Sequence, residues 1–426
     1  MKTTLIKIPY GRTFLRCRLP AGRLVALSRQ RCAPRTASRS SSRALIADAL
    51  KQFDRKKSSW TGKNILIVVS DLTRHAHVKE IIGPLLRKIG RGAGKIDIIV
   101  GTGLHRKHTR RELEALLGAA VVKRYPVLAH ELGSSDLVDF GMTDGGTPRL
   151  LDRRLMGRDL VISIGVIEPH LYAGYSGGVK TVAIGLAGEA TISATHGTRF
   201  LDDRSVRIGV TARNAFQQEL WKIAEGIVPR WLAVNVVNDP DGRLVRVFCG
   251  EVRAVFAEGV RYAKKLFEAK MRRPVDIVIC GIGHPKDVNL YQASRAMNYI
   301  LDVERPIVRK GGVVIIAAQL EEGLGKGLSE QRFGREFARM GSPAAYMQRI
   351  KKAGCRAGIH RAYMVARALD YARCVFVTRS AQRFSGAPFP VFADMKDALA
   401  YAEDLTSSDA RIAVVPRALC TIATVA

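Results

Sequence analysis

DLVISIGVI at residues 159–167, running into EPHLYAGYSGGVK at 168–180, is the stretch that decides the fold. An apolar run this rich in Ile and Val has the length of a strand buried on both faces. Pro169 and His170 then fall just past its C-terminal end, the edge at which open α/β sheets bind ligands. Gly174, Gly177 and Gly178 allow positive φ and a close backbone approach, and Ser176 is a candidate helix cap. A phosphate could sit on those amides. The alternative is a glycine-rich turn with a surface lysine, because GGVK lacks the full phosphate-loop spacing.

The same rhythm extends in both directions. NILIVVSD precedes VKEIIGPLLRKIG, and KIDIIVGTG precedes TRRELEALLG, which predicts a predominantly parallel, doubly wound sheet. WLAVNVVND adds a strand, and EVRAVFAEGVRYAKKLFEAK has helical spacing until MRRP at 271–274 breaks it. VDIVICGIG then opens a second α/β unit, with a helix near ASRAMNYILDVE, the strand GGVVIIAAQ, a loop at EEGLGKG and helices across 329–375. The expected fold class is α/β, with two α/β domains, mainly parallel sheets and an active-site cleft between them. Residues 1–272 are expected to form an N-terminal cofactor-binding domain, completed by 405–426 through RIAVVP. Residues 273–404 are expected to form a C-terminal, substrate-side domain.

The 426 residues, 47% of them hydrophobic, suffice for two or three domains. No stretch approaches roughly 18 uninterrupted apolar residues, and the start lacks the apolar centre of a secretory signal. Residues 1–47 contain no acid, which superficially suits a transit peptide, but KTTLIKIPYG alternates and ends in a turn signal. A basic surface on a folded N-terminal β region is therefore expected. The seven cysteines are scattered, with no CxxC pair, and read as reduced thiols of a cytoplasmic protein. The net charge of +31 is spread along the whole chain, aromatics are only 7%, and no zinc-finger or RNA-recognition signature occurs. Attraction of small anionic substrates is preferred to nucleic-acid or membrane binding.

Four polar clusters each follow a predicted strand: SDLTRH at 70–75, GTGLHRKHTRRE at 101–112, EPH at 168–170 and GHPKDVNLYQASR at 283–295. Asp71 can accept from a ribose hydroxyl or orient a neighbour. Thr73 and Arg74 can hold an anion, the latter with a bidentate fork. A capping Asp with an exposed Arg is the plainer account. His105 and His170 occupy polar, glycine-flanked loops and not apolar faces, and imidazole suits proton transfer near neutral pH. His75, His77 and His108 compete for that role. His196 follows TISAT, with no ligand at i+3 or i+4, so any metal there needs donors from a cofactor.

Together these residues resemble the nickel-dependent lactate racemase family, over most of the chain and in order. The marks are SDLTR, GTGLHR followed by Thr109 and Glu112, EPHLYAGYSGGVK, ATHG and LYQAS. The resemblance implies a nickel-pincer nucleotide (nickel pyridinium-3-thioamide-5-thiocarboxylic acid mononucleotide) attached covalently at Lys180, with cofactor-synthesis proteins as partners. It makes His196 the protein ligand to nickel, beside two sulfurs and a ring carbon of the cofactor. It makes His105 and His170 the paired acid/base residues. Arg74, Tyr291, Gln292 and Arg295 would hold the substrate, while Asp71, Thr73, Gly174, Ser176, Gly177 and Gly178 would seat the nucleotide.

The mechanism so implied inverts the carbinol carbon of a 2-hydroxy acid. One histidine takes the hydroxyl proton as the Cα hydride moves to the pincer carbon, the planar 2-oxo acid rotates, and the opposite histidine reprotonates it. Two positions depart from the family pattern: His75 stands where proline is usual, and Arg295 where the lactate enzymes carry lysine. A fork in place of a point charge points to a substrate with more anionic or hydrogen-bonding groups than lactate. Two other readings are a Schiff-base lyase using Lys180 and a non-catalytic basic anion-binding protein of the same fold.

Overall fold

The computed structural model describes residues 2–27, 39–55, 60–90, 92–103, 105–131, 136–355 and 358–426; Cys32 lies outside them. The chain divides into two units: Arg31–Thr195 with Thr211–Leu266, and Met1–Gln30 with His196–Val210 and Phe267–Ala426. They are called here the N-terminal and C-terminal units.

The N-terminal unit is built on a six-stranded sheet in the order Leu244–Glu251, Trp231–Asn238, Leu160–Val166, Asn64–Ser70, Lys95–Gly101, Val127–Ala129. All neighbours run parallel except the first pair. Ile65 to Val69 and Leu160 to Ile164 are buried without alternation, as a strand covered on both faces requires. Helix Val78–Ile89 buries Val78, Ile81, Ile82, Leu85, Leu86 and Ile89, one stripe at helical period. Helix Arg110–Leu117 starts from a capping box in which Thr109 and Glu112 satisfy each other's backbone N–H groups. The Thr109 and Glu112 marks thus have a structural task.

The C-terminal unit carries a second, wholly parallel sheet in the order Val391–Phe392, Arg373–Val377, Val308–Ala317, Val275–Gly281, Ile412–Val415, Leu24–Val25. Its core takes Ile8, Tyr10 and Leu19 from an N-terminal hairpin, Thr3–Tyr10 with Thr13–Pro20. The expected N-terminal β region therefore exists.

Its allegiance differs from expectation. Residues 1–30 and 405–426 both join the C-terminal unit, so the expected domain of 1–272 completed by 405–426 is not the observed division. The physical reason is strand pairing: Ile412–Val415 hydrogen-bonds to Val275–Gly281 on one side and Leu24–Val25 on the other. The tyrosine hydroxyl of Tyr10 also accepts from the Arg379 amide at 2.9 Å. Two element assignments change as well. The expected helix across 251–270 stops at Phe267, because Glu268–Met271 pairs with Ile422–Val425. The helical region 329–375 ends in the strand Arg373–Val377, whose RCVFV run is β-branched and aromatic.

Candidate active site

In the N-terminal unit the chain fills the sheet from Asn64–Ser70 outward through Lys95–Gly101 and Val127–Ala129, then crosses back to Leu160–Val166 on the other side. The C-terminal end of the first strand is thus a topological switch point, where loops splay apart and ligands bind. Asp71 and Arg74 follow that strand, His105 follows one neighbour, and Glu168 and His170 follow the other.

Side chains from these loops lock together. Oδ2 of Asp71 lies 2.5 Å from Nδ1 of His105, and Oδ1 accepts from the backbone N–H and hydroxyl of Thr73 at 3.2 and 2.7 Å. Burial would push the Asp71 carboxyl up, yet the hydrogen bond and charge of His105, with Thr73 and Arg74, hold it below its ordinary value. An ionised Asp71 can only accept, so Nδ1 of His105 donates, and in the neutral form of the ring Nε2 keeps the lone pair. The His105 side chain remains 48% exposed, leaving that nitrogen within a substrate's reach. Arg74 pairs with Glu168 across the switch point.

His170 is held differently, because its Nδ1 accepts backbone N–H groups of Tyr172 and Ala173 at 3.3 and 3.2 Å. Of the competing histidines, His108 lies beside the same cluster and accepts from the Leu72 amide through Nε2 at 3.4 Å. Burial pushes the His108 imidazole below its ordinary value. His75 offers its carbonyl to Asn238 at 2.6 Å, and His77 starts helix Val78–Ile89 at φ 50°.

The glycine turn that follows is fixed from beneath. Gly177 has φ +88°, and a Cβ there would meet Asn235 Oδ1 at 2.4 Å; the Gly178 amide donates to that same oxygen at 2.9 Å. The Ser176 hydroxyl donates to the Val166 carbonyl at 2.8 Å and caps no helix, contrary to the expectation. The bond to the strand end leaves the half-buried Lys180 as the first residue of the short helix Lys180–Ala183.

In the C-terminal unit, the buried His196 ring lies 5.1 Å, centroid to centroid, from that of His360. His360 accepts the Gly358 amide through Nδ1 at 3.2 Å. Burial first, then His196, Arg361 and Arg295, hold His360 well below the ordinary imidazole value, so it is neutral. Arg361 bonds Asn298, which returns a bond to the Met364 carbonyl at 2.9 Å and so ties helix His360–Tyr371 to helix Arg295–Leu301. The Arg295 guanidinium sits 5.7 Å over the Tyr291 ring, itself 5.6 Å from Phe333. The Gln292 amide donates to the capping Asn289. Among the described residues no group of three or more His, Cys, Asp and Glu side chains could hold a metal ion.

The family model for the lactate racemase N-terminal domain matches residues 10–209, and that for the C-terminal domain matches 270–423. The chain belongs to the lactate racemase family. It is 28% identical over 424 residues to the lactate racemase of Thermoanaerobacterium thermosaccharolyticum, covering 96% of this chain and 97% of that one. It is 30% identical over 299 residues to the lactate racemase of Lactiplantibacillus plantarum, covering 68% and 67%. The structure of the lactate racemase apoprotein from T. thermosaccharolyticum matches at a TM-score of 0.87 and 26% identity, over 99% of this chain and 100% of that one. A Thermotoga maritima protein, 18% identical with a TM-score of 0.69 over 90% and 98%, shares the fold. As a lactate racemase family member this chain is an isomerase of the racemase type.

The N-terminal unit therefore gathers Asp71, Thr73, Arg74, His105 and Glu168 at one sheet edge, while His196, Tyr291, Gln292 and Arg295 belong to the C-terminal unit. Sequence reasoning missed Glu168 as the partner of Arg74, Asn235 as the brace of the glycine turn, and His360 as the neighbour of His196. A signal existed for Asn235, a polar residue inside the apolar run WLAVNVV, since buried polar groups are kept for the bonds they make.

Proposed function

We propose that this enzyme inverts the carbinol carbon of a 2-hydroxy acid in the cytoplasm, using a nickel-pincer nucleotide supplied by cofactor-synthesis proteins. The observation that carries the reading is the cluster at the switch point, where an Asp71-supported imidazole, a second imidazole and an Arg–Glu pair follow adjacent strands.

The residues fit the cofactor. His196 gives one protein donor to nickel, which suffices if the remaining donors belong to the nucleotide. Lys180 follows a turn whose two glycines pack directly on Asn235 and Phe256, which fixes the backbone that presents the lysine. When bound, the cofactor supplies a carbon centre that takes up and returns the substrate's Cα hydride. Nε2 of His105 takes the hydroxyl proton of one enantiomer, and His170 serves the oxygen of the other. Gln292 donates to the substrate, and Arg295 holds its carboxylate. Arg74, steadied by Glu168, offers a second fork to an anionic substrate. Thr73, Gly174 and Ser176 shape the loops that seat the nucleotide.

Arg295 supports a substrate richer in acceptor groups than lactate. Its guanidinium, set over the Tyr291 ring, offers a planar fork where an ammonium offers a point. Co-expression with pincer-synthesis enzymes should yield protein carrying nickel and an added mass on the Lys180 peptide. That protein is expected to racemise malate or 2-hydroxyglutarate, or to epimerise an aldonate. A clear preference for lactate sinks the substrate reading. Borohydride trapping of substrate on Lys180, without nickel, replaces the whole mechanism with Schiff-base chemistry.

A further inference from the structure

The two imidazoles at the switch point are not held alike. His105 gives its Nδ1 proton to a carboxylate, whereas His170 takes two backbone N–H groups at Nδ1. The tautomer of a neutral imidazole follows from what its other nitrogen faces. A carboxylate demands Nδ1–H and leaves Nε2 a lone pair. Two amide donors demand an Nδ1 lone pair and leave the proton on Nε2.

We propose that Asp71 is a positioning residue that fixes His105 as the resting proton acceptor, while His170 rests in the opposite tautomer as a hydrogen-bond donor. The inference rests on the proposed function for its kinetic consequence, though its structural half does not. When a substrate hydroxyl meets His105, its O–H bond breaks, the bonding pair stays on oxygen and the proton forms an N–H bond at Nε2. The resulting imidazolium faces the Asp71 carboxylate, with Thr73 holding the other oxygen of that group. His170 cannot yield its Nε2 proton from the neutral state without becoming an imidazolate. It must first gain a proton at Nδ1 from solvent water, which breaks its contacts with the Tyr172 and Ala173 amides. At rest His105 is therefore ready to accept, whereas residues 170–173 must rearrange before His170 can take part in either direction. For a simple pair of enantiomers the equilibrium constant is one, so kcat/KM must stay equal in both directions. The asymmetry appears as kcat and KM that differ in parallel.

Nitrogen-15 NMR of the imidazoles tests this directly, in the protein as purified and after cofactor loading, with His105→Asn and His170→Asn giving the assignments. The expected result is Nδ1–H on His105 and Nε2–H on His170. Asp71→Asn should scramble the His105 tautomer and lower kcat on the order of 100-fold or more, with little change in KM and with nickel content retained. Nε2–H on His105 in the unmodified protein, or an Asp71→Asn variant with unchanged kcat, overturns the inference. If Asp71→Asn fails to fold, the NMR of the unmodified protein decides alone. The expected tautomers in a loaded protein that turns over no 2-hydroxy acid would uphold this inference and refute the proposed function.

Discussion

Asn235 Oδ1 accepts the backbone N–H of Gly178 at 2.9 Å from within an otherwise apolar strand. This one bond anchors the glycine turn to the sheet two residues before Lys180, converting a stretch of permissive backbone into a defined platform.

Asn235→Ala should therefore destabilise the fold by about 1–3 kcal/mol, because the Gly178 donor would be left buried without its acceptor. Gly178→Ala should cost a similar amount, about 1–3 kcal/mol, through its φ of +54° and a Cβ 2.8 Å from the Phe256 ring. Urea denaturation measures both. A change under half a kcal/mol in either would mean the turn is held by other contacts.

Glu168→Gln should leave cofactor and nickel content unchanged while lowering kcat/KM by roughly 10- to 100-fold, because Arg74 loses the charge that orients it. Steady-state kinetics of the loaded enzyme, beside metal analysis, separates this from a loading defect. Unchanged kinetics would reduce the Arg74–Glu168 pair to a surface feature.

Lys180→Ala and His196→Ala should lose the cofactor mass and the nickel respectively. His105→Ala and His170→Ala should keep both and lose turnover. Intact-mass spectrometry and nickel analysis read the first pair, polarimetry the second. Normal racemisation by either variant of the second pair rules out its assigned proton-transfer role.

His360→Phe keeps a ring beside His196 but removes its polar nitrogens, and should lower nickel affinity about 10-fold in competition with a chelator. Equal affinity would make the contact simple packing.

Acid should unfold the N-terminal unit through its paired carboxylates. Burial would raise the Asp152 carboxyl, but hydrogen bonds from His130 and Arg154 hold it below its ordinary value. Such a group stabilises the fold fully above the unfolded carboxylate pKa of about 3.9 and loses that contribution as pH falls through the lower, folded value. Asp152→Asn should cost about 3 kcal/mol near neutrality, since it takes the carboxylate from the buried His130 and the half-buried Arg154, and should flatten the acid limb of the stability curve. An acid limb identical to the parent's would contradict this.

The strands and helices around the switch point were legible because their signals are local. Apolar runs of strand length, a 3.6-residue stripe and a capping box act over a few residues, and so EPH and the glycine turn could be placed at a strand end. By itself the sequence determined the two α/β sheets, the N-terminal hairpin and the residue types available for chemistry. Only the tertiary structure decided that Ile412–Val415 pairs with Val275–Gly281, that Arg74 meets Glu168, that Asp71 supports His105, and that His196 faces His360. Each of these joins residues 34 or more positions apart. Partner choice at that range depends on strand order and on which buried donor finds which acceptor, and composition and periodicity carry no term for either.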